Sequence, residues 1–192
     1  MLPDKYAAKK NRCWSSVVEK SKKIISFIDL CGHEKYFKTT LFGLAGMFPD
    51  YAMIVVGSNM GVQRMTREHL CIVLALKIPF YVVLTKIDIC PENVYKETLE
   101  TVVKILKSPS VNRLPIIIKT VLSTFKTEEA VKTSQCIRSD RICPIFSVSN
   151  VTGEGIPDLI VFLSGLHCSN KQKVVVSKQP QPDSQQSPQS PQ

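Results

Sequence analysis

Three short polar clusters carry the side chains that could do chemistry: Asp29-Leu30-Cys31-Gly32-His33, Thr85-Lys86-Ile87-Asp88 and Ser149-Asn150-Val151-Thr152-Gly153. Each directly follows an apolar, β-branched or aromatic run, respectively IISFI, FYVVL and PIFSV. If these runs are strands of an open parallel sheet, the clusters stand at strand carboxyl ends, where such sheets bind ligands. Each cluster alone has a plainer reading, because an Asp at a strand end commonly caps a helix or shapes a turn. The order of the three along the chain is more specific than any one of them.

The elements that must position these clusters can be read from periodicity. The runs YAMIVVG (51–57), FYVVL (80–84) and CPIFSV (143–148) are apolar on both faces, as strands of a buried parallel sheet are. Between them lie helix candidates at Thr66–Lys77, Glu92–Lys107 and Ile156–Leu163, the last opened by the turn sequence TGEG. Strands alternating with helices at this spacing make an α/β layered fold. Upstream, Trp14–Val18 and Ile24–Ile28 read as two strands of a hairpin turned by EKSKK. The stretch EKYFKTTLFGLAG then has helical spacing, with Tyr36, Phe37, Thr40, Leu41 and Leu44 on one face. Residues 108–142 are less regular, with LPIIIK a further strand candidate.

A chain of 192 residues, 44% apolar and with only 8 Gly, suits one globular domain with a real core. A formal charge of +9 and a pI near 9.2 favour anionic partners such as nucleotides, RNA or ribosomal surfaces. Seven cysteines without a C-x-x-C pair or a histidine at ligand spacing argue against a disulfide framework and a zinc site. Cys71 and Cys143 lie in apolar runs, where cysteine acts as a small hydrophobe in a reducing compartment. The first twenty residues lack a signal-peptide core and no segment has the length of a membrane span, so the expected location is cytoplasmic, with no membrane partner. Residues 1–12 are polar and basic and are expected to be disordered, as is the Gln/Ser/Pro-rich stretch 169–192, which is too poor in apolar residues to offset its ordering entropy. Ser187-Pro188 and Ser190-Pro191 are candidate proline-directed phosphosites within that otherwise inert tail.

D-x-x-G-H, then (N/T)-K-x-D, then S-x-x-T-G is the order of guanine-nucleotide contacts in Ras-like GTPases. The segment DYAMIVVGSNMGVQRMTREHLCIVLALKIPFYVVLTKID resembles the translational elongation-factor family of GTPases, including its TREH segment. FIDLCGHEKYFKTT, VGSNMGV, TKIDICP and CPIFSVSNVTGE are similar in character to the eukaryotic GTP-binding protein 1 and 2 subgroup, and the resemblance covers about residues 14–166. It implies a three-layer α/β fold of the P-loop GTPase type over residues 13–168, with a mostly parallel sheet and an N-terminus that is incomplete relative to the family. It also implies GTP or GDP and Mg²⁺ as ligands, and the ribosome, tRNA or other RNA as partners.

The same resemblance assigns tasks residue by residue. Asp29 would hold Mg²⁺ through a water, as suits a hard cation that keeps much of its hydration. The Gly32 N–H would donate to the γ-phosphate at a closeness that a side chain would obstruct. His33 would orient the attacking water, against the plainer reading of an exposed loop histidine. Lys86 would lay its stem along the guanine ring while Asp88 accepts two N–H bonds from the base edge, a pairing that adenine cannot make. Thr85 stands where most GTPases have Asn, and it offers one donor where the amide offers two. Ser149 and the N–H of Asn150 would support the base from its far side.

The family's opening segment, a strand followed by G-x-x-x-x-G-K-(S/T), does not occur in these 192 residues. That loop supplies the N–H groups and lysine that hold the phosphates, so phosphate affinity is expected to be low. In the family the strand before the loop lies between the one ending at Ile28 and the one ending near Val56. Two apolar strand edges are therefore expected to pair with each other, to be covered or to stay open to aggregation. Two function classes follow: a GTP-binding, GTP-hydrolysing domain of an elongation-factor-like protein, and a non-catalytic interaction protein derived from one. An unrelated α/β domain with three ordinary turns would have to match the motif order by accident.

Overall fold

In the computed structural model, which describes residues 14–118, 126–138 and 141–167, four of the apolar runs become strands: β1 (Ala52–Gly57), β2 (Phe80–Thr85), β3 (Leu114–Ile118) and β4 (Ile142–Ser147). They form one sheet in the order β1-β2-β4-β3, and every pairing is parallel. The registers run Ala52 beside Phe80, Val82 beside Ile145 and Leu114 beside Ile142. Alternation along β2 explains its central place: Phe80, Val82 and Leu84 enter one core while Tyr81 and Val83 enter the other, all nearly inaccessible to solvent.

Pro144 sets where the β2–β4 ladder starts. The Val148 N–H donates to the Leu84 carbonyl, so strand alternation points the nitrogen of residue 144 at β2 as well. Proline has no N–H to give, and the β2–β4 register begins one residue later, at Ile145, while the β3–β4 register spans all of β3.

Helices α3 (Arg64–Ala75) and α4 (Glu92–Lys107) cover the first face, and α5 (Lys126–Cys136) and α6 (Ile156–Gly165) the second, giving three layers. Helix α4 shows why the sequence folds so. Thr98, Val102 and Leu106 recur every four residues and are its buried stripe, Glu92 sits in its first turn, and Lys104 and Lys107 sit in its last, each on the favourable side of the helix dipole. On the second face the rings of Tyr81, Phe146 and Phe162 meet edge-on or tilted, with centroids 4.9–6.2 Å apart.

Upstream of β1 the sequence expectation fails in part. Residues 14–18 are not a strand; helix α1 (Trp14–Lys20) occupies them and buries none of its residues. Ile24–Ile28 have no regular structure and are exposed, Phe27 at 65%. β-propensity is a preference for a pleated, half-buried surface, and among the described residues no strand lies beside these to supply one. A 3-10 turn (Glu34–Tyr36) leads into α2 (Phe37–Met47), whose buried residues are Thr40 and Leu44; Tyr36 and Leu41, expected on the same face, are exposed. Cys143 is buried as expected, but Cys71 points to solvent from α3. The ends expected to be disordered, and the two Ser-Pro pairs, lie outside the described residues.

Candidate functional site

The second and third polar clusters meet. The Ser149 hydroxyl donates to Asp88 Oδ1 at 2.7 Å, joining the loop after β2 to the loop after β4. Ser149 is fully buried, and its oxygen also accepts the N–H groups of Val151 and Thr152 at 3.2 and 3.1 Å. One hydroxyl thus ties its own turn closed and fixes the carboxylate of the neighbouring loop. The turn is locked further by Ser149 N–H to the Glu154 carbonyl and Gly153 N–H to the Ser149 carbonyl, both 3.0 Å. Gly155 sits at φ 73°, where an added Cβ would collide with the Ser147 carbonyl, so glycine alone fits.

Lys86, between Thr85 and Asp88, has φ 61°, in the left-handed region that a non-glycine side chain adopts only under constraint. Lys86, Asp88 and Asn150 are exposed at this edge, while Thr85 is half-buried and its hydroxyl donates to the Val56 carbonyl at 3.4 Å. A carboxylate clamped through one oxygen, beside a solvent-facing lysine, can accept a pair of N–H groups from a flat polar ring edge.

A fourth loop, missed in the sequence reading of sites, completes the edge. Gly57–Gly61 follows β1, and the Ser58 N–H donates to the Thr85 carbonyl at 2.9 Å. The Thr98 hydroxyl donates to the Ser58 carbonyl at 3.1 Å, and the Tyr95 hydroxyl pairs with Ser147 Oγ at 2.8 Å, so α4 braces the loops from below. Ser58 Oγ and Asn59 Oδ1 are buried without a hydrogen-bond partner. The signal was present in the sequence, since GSN follows an apolar run just as the other three clusters do.

The first cluster stands apart. Asp29, Gly32 and His33 are exposed in the segment that leads to α2, and among the described residues no hydrogen bond joins them to Asp88 or Ser149. His33 Nδ1 accepts the Lys35 N–H at 3.1 Å and so caps the 3-10 turn. The Thr40 hydroxyl donates to the Cys31 carbonyl at 2.7 Å, and Leu30 packs on the first core, which anchors the loop at two points. A side chain on Gly32 would meet no protein atom within 4 Å.

Among the described residues no group of three or more His, Cys, Asp or Glu is arranged to hold a metal ion. Asp29 offers a single carboxylate, a donor set that fits an ion carried mainly by phosphate oxygens and water, not a protein cage. No helix among the described residues is long and apolar enough to cross a membrane.

Comparison with known proteins gives the relatives of this arrangement. Residues 10–167 match the family described as the elongation factor Tu GTP binding domain. The chain is 48% identical over 151 residues to GTP-binding protein 1 of Xenopus laevis, covering 79% of this chain and 22% of that protein. It is 38% identical over 154 residues to GTP-binding protein 2 of Homo sapiens, covering 80% and 25%. A probable translation initiation factor IF-2 of Methanocorpusculum labreanum is 33% identical over 151 residues, covering 73% and 24%. The chain therefore spans about a quarter of the length of the curated relatives it matches. Among solved structures, apo translation elongation factor SelB from Methanococcus maripaludis aligns at TM-score 0.49 and 19% identity, over 79% of this chain and 30% of that one, a likeness too distant to argue from.

Proposed function

The chain belongs to the elongation factor Tu GTP-binding domain family, and from that premise we propose that it binds guanine nucleotides by reading the base between the loops after β2 and β4. The observation that carries this is the Ser149–Asp88 hydrogen bond, with Lys86 held at positive φ beside it. Asp88 accepts the two N–H groups of the guanine edge, Lys86 covers the ring face, Thr85 ties the loop to β1, and the Asn150 N–H supports the base from the other side. Adenine offers no matching donors to Asp88, so the site discriminates by charge-assisted bonds that only guanine can complete.

GTP hydrolysis is the family reaction we assign to the whole protein, with Asp29 holding the water shell of Mg²⁺, Gly32 N–H on the γ-phosphate and His33 orienting the attacking water. The 192 residues contain no G-x-x-x-x-G-K-(S/T) loop to hold the phosphates, so turnover by this chain alone is expected at or below detection. Its charge of +9 and the likeness to a probable initiation factor support a cytoplasmic role on ribosomal or RNA surfaces. That same charge also supports a second reading: a non-catalytic, GTPase-derived interaction protein with weakened nucleotide binding.

The test is a titration of the ¹⁵N-labelled chain with GDP. The amide signals of Lys86, Asp88, Asn150 and Val151 are expected to move together, and unmoved signals at millimolar GDP would refute base recognition at this edge.

A further inference from the structure

Helix α4 begins at Glu92, just past the loop that holds Asp88, so chain continuity already ties that loop to the helix. Two hydroxyls on its first turns, those of Tyr95 and Thr98, lie on one side of the helix and reach loops that belong to other strands. The Tyr95 hydroxyl pairs with Ser147 Oγ at 2.8 Å, at the last residue of β4. The Thr98 hydroxyl donates to the Ser58 carbonyl at 3.1 Å, in the loop after β1. Apolar side chains would serve the packing of α4 at both positions, and a hydroxyl buried there costs free energy unless it is paired. The pairing is what these two residues add.

We propose, on the reading that Asp88 accepts the guanine edge, that Tyr95 and Thr98 are positioning residues that set how strictly the site demands guanine. Tyr95 acts through β4. Ser147 is on the first-core side of the strand with Cys143 and Ile145, where α4 lies, and Ser149 follows just beyond with its hydroxyl on Asp88 Oδ1 at 2.7 Å. Helix α4 carries the Asp88 loop and grips the end of β4, so both partners of the Ser149–Asp88 bond are held against one rigid element.

Thr98 acts through the loop after β1. Ser58 takes the Thr98 hydroxyl on its carbonyl and donates its own N–H to the Thr85 carbonyl at 2.9 Å. That carbonyl belongs to the peptide plane joining Thr85 to Lys86, and the orientation of this plane relative to Lys86 is the φ of 61°. Positive φ at a non-glycine residue persists only where the surroundings over-determine it. The turn from Lys86 to Asp88 therefore starts from a peptide that Thr98 helps to fix. Two N–H groups of guanine must meet the carboxylate together, and a turn displaced at either anchor weakens one of the two bonds first.

Competition by GDP, IDP and ADP tests this on the full chain and on Tyr95→Phe, Thr98→Val and Thr98→Ser. Inosine diphosphate lacks the exocyclic amino group of guanine and keeps the ring N–H, so the GDP-to-IDP affinity ratio reads the second bond to Asp88. In the unaltered chain a ratio of about tenfold or more is expected, the worth of one hydrogen bond to a charged group. Tyr95→Phe and Thr98→Val are expected to narrow it to about threefold or less, whereas Thr98→Ser keeps the hydroxyl and the ratio. General destabilisation would weaken GDP and IDP alike and leave the ratio unmoved. Without nucleotide, the Ser58 amide in Thr98→Val and the Val151 and Thr152 amides in Tyr95→Phe are expected to exchange about tenfold faster, while Val82 and Val83 keep their protection.

Ratios unchanged in both Tyr95→Phe and Thr98→Val would overturn the positioning role and leave guanine recognition standing. Unchanged exchange at those amides would overturn it whether or not nucleotide binds. An unaltered chain that does not prefer GDP to ADP would refute the base reading, and the positioning role with it.

Discussion

Ser149 Oγ lies 2.7 Å from Asp88 Oδ1, across a sequence separation that only the parallel β2–β4 pairing can close. The bond makes a buried serine part of the carboxylate's aim. Ser149→Ala leaves three groups without their partner at once: one oxygen of Asp88 and the N–H groups of Val151 and Thr152. A loss of about 1–3 kcal/mol of folding stability is expected from urea unfolding, together with weaker guanine binding. Unchanged values of both would remove the serine from the site.

Asp88→Asn keeps the shape of the loop and replaces an acceptor pair by one acceptor and one donor. Guanine affinity is expected to fall by about a hundredfold, to the level of adenine, because one charge-assisted bond is lost and a donor now faces the base donors. Isothermal calorimetry with GDP and ADP reads the change directly.

His69 sets a pH dependence. Its ring stacks on Phe37 with centroids 6.1 Å apart, and Nε2 is buried without a partner. Burial lowers its pKa below the ordinary 6.5, with Glu68 opposing more weakly. In the unfolded chain the imidazole takes a proton as pH falls through about 6.5, while the folded form resists it, so this residue's contribution is lost below that pH and intact above it. His69→Phe keeps a ring on Phe37, and the drop in urea midpoint from pH 7.5 to 5.5 is expected to shrink. An equal drop in both proteins would exclude His69.

Much of this is legible in the sequence. Runs apolar on both faces point to β2 and β4, because a strand covered on both sides has no freedom to alternate, and to β1 as well, although its Met53 and Val55 are exposed. Motif order brought Asp88 and Ser149 together at one edge. Residues 14–28 were not legible, since Ile24–Ile28 have a strand's composition but no strand to pair with among the described residues, and pairing is a tertiary property. Nor was the loop at Ser58, whose importance lies in buried, unpaired oxygens that spacing does not reveal. Among the described residues no hydrogen bond joins Asp29 or His33 to Asp88, and their share in the site rests on the family pattern.

Thiol chemistry separates the cysteines by environment. Burial pushes the Cys143 thiol up to about 12, Arg113 offsetting only a little, whereas Cys31 and Cys71 are exposed. At pH 7.5 iodoacetamide is expected to modify Cys31 and Cys71 and to spare Cys143 until the protein is unfolded. Peptide mass spectrometry would show the order, and early labelling of Cys143 would contradict the core packing of β4.

His33 is expected to matter only where the phosphates are held. In a chain extended with the family's upstream strand and phosphate loop, His33→Ala should slow single-turnover GTP hydrolysis by roughly two to four orders of magnitude with nucleotide affinity nearly unchanged. Equal rates would leave the residue as a cap on its 3-10 turn.

Base selectivity of the 192-residue chain is the most direct measurement. A fluorescent guanine nucleotide bound to the protein is displaced in parallel by GDP and by ADP. Because Asp88 and Lys86 are present and the phosphate loop is not, affinity should be weak but depend on the base, with GDP competing at least about a hundredfold better than ADP. Equal displacement by the two, or by neither at millimolar concentration, would contradict guanine recognition between the β2 and β4 loops.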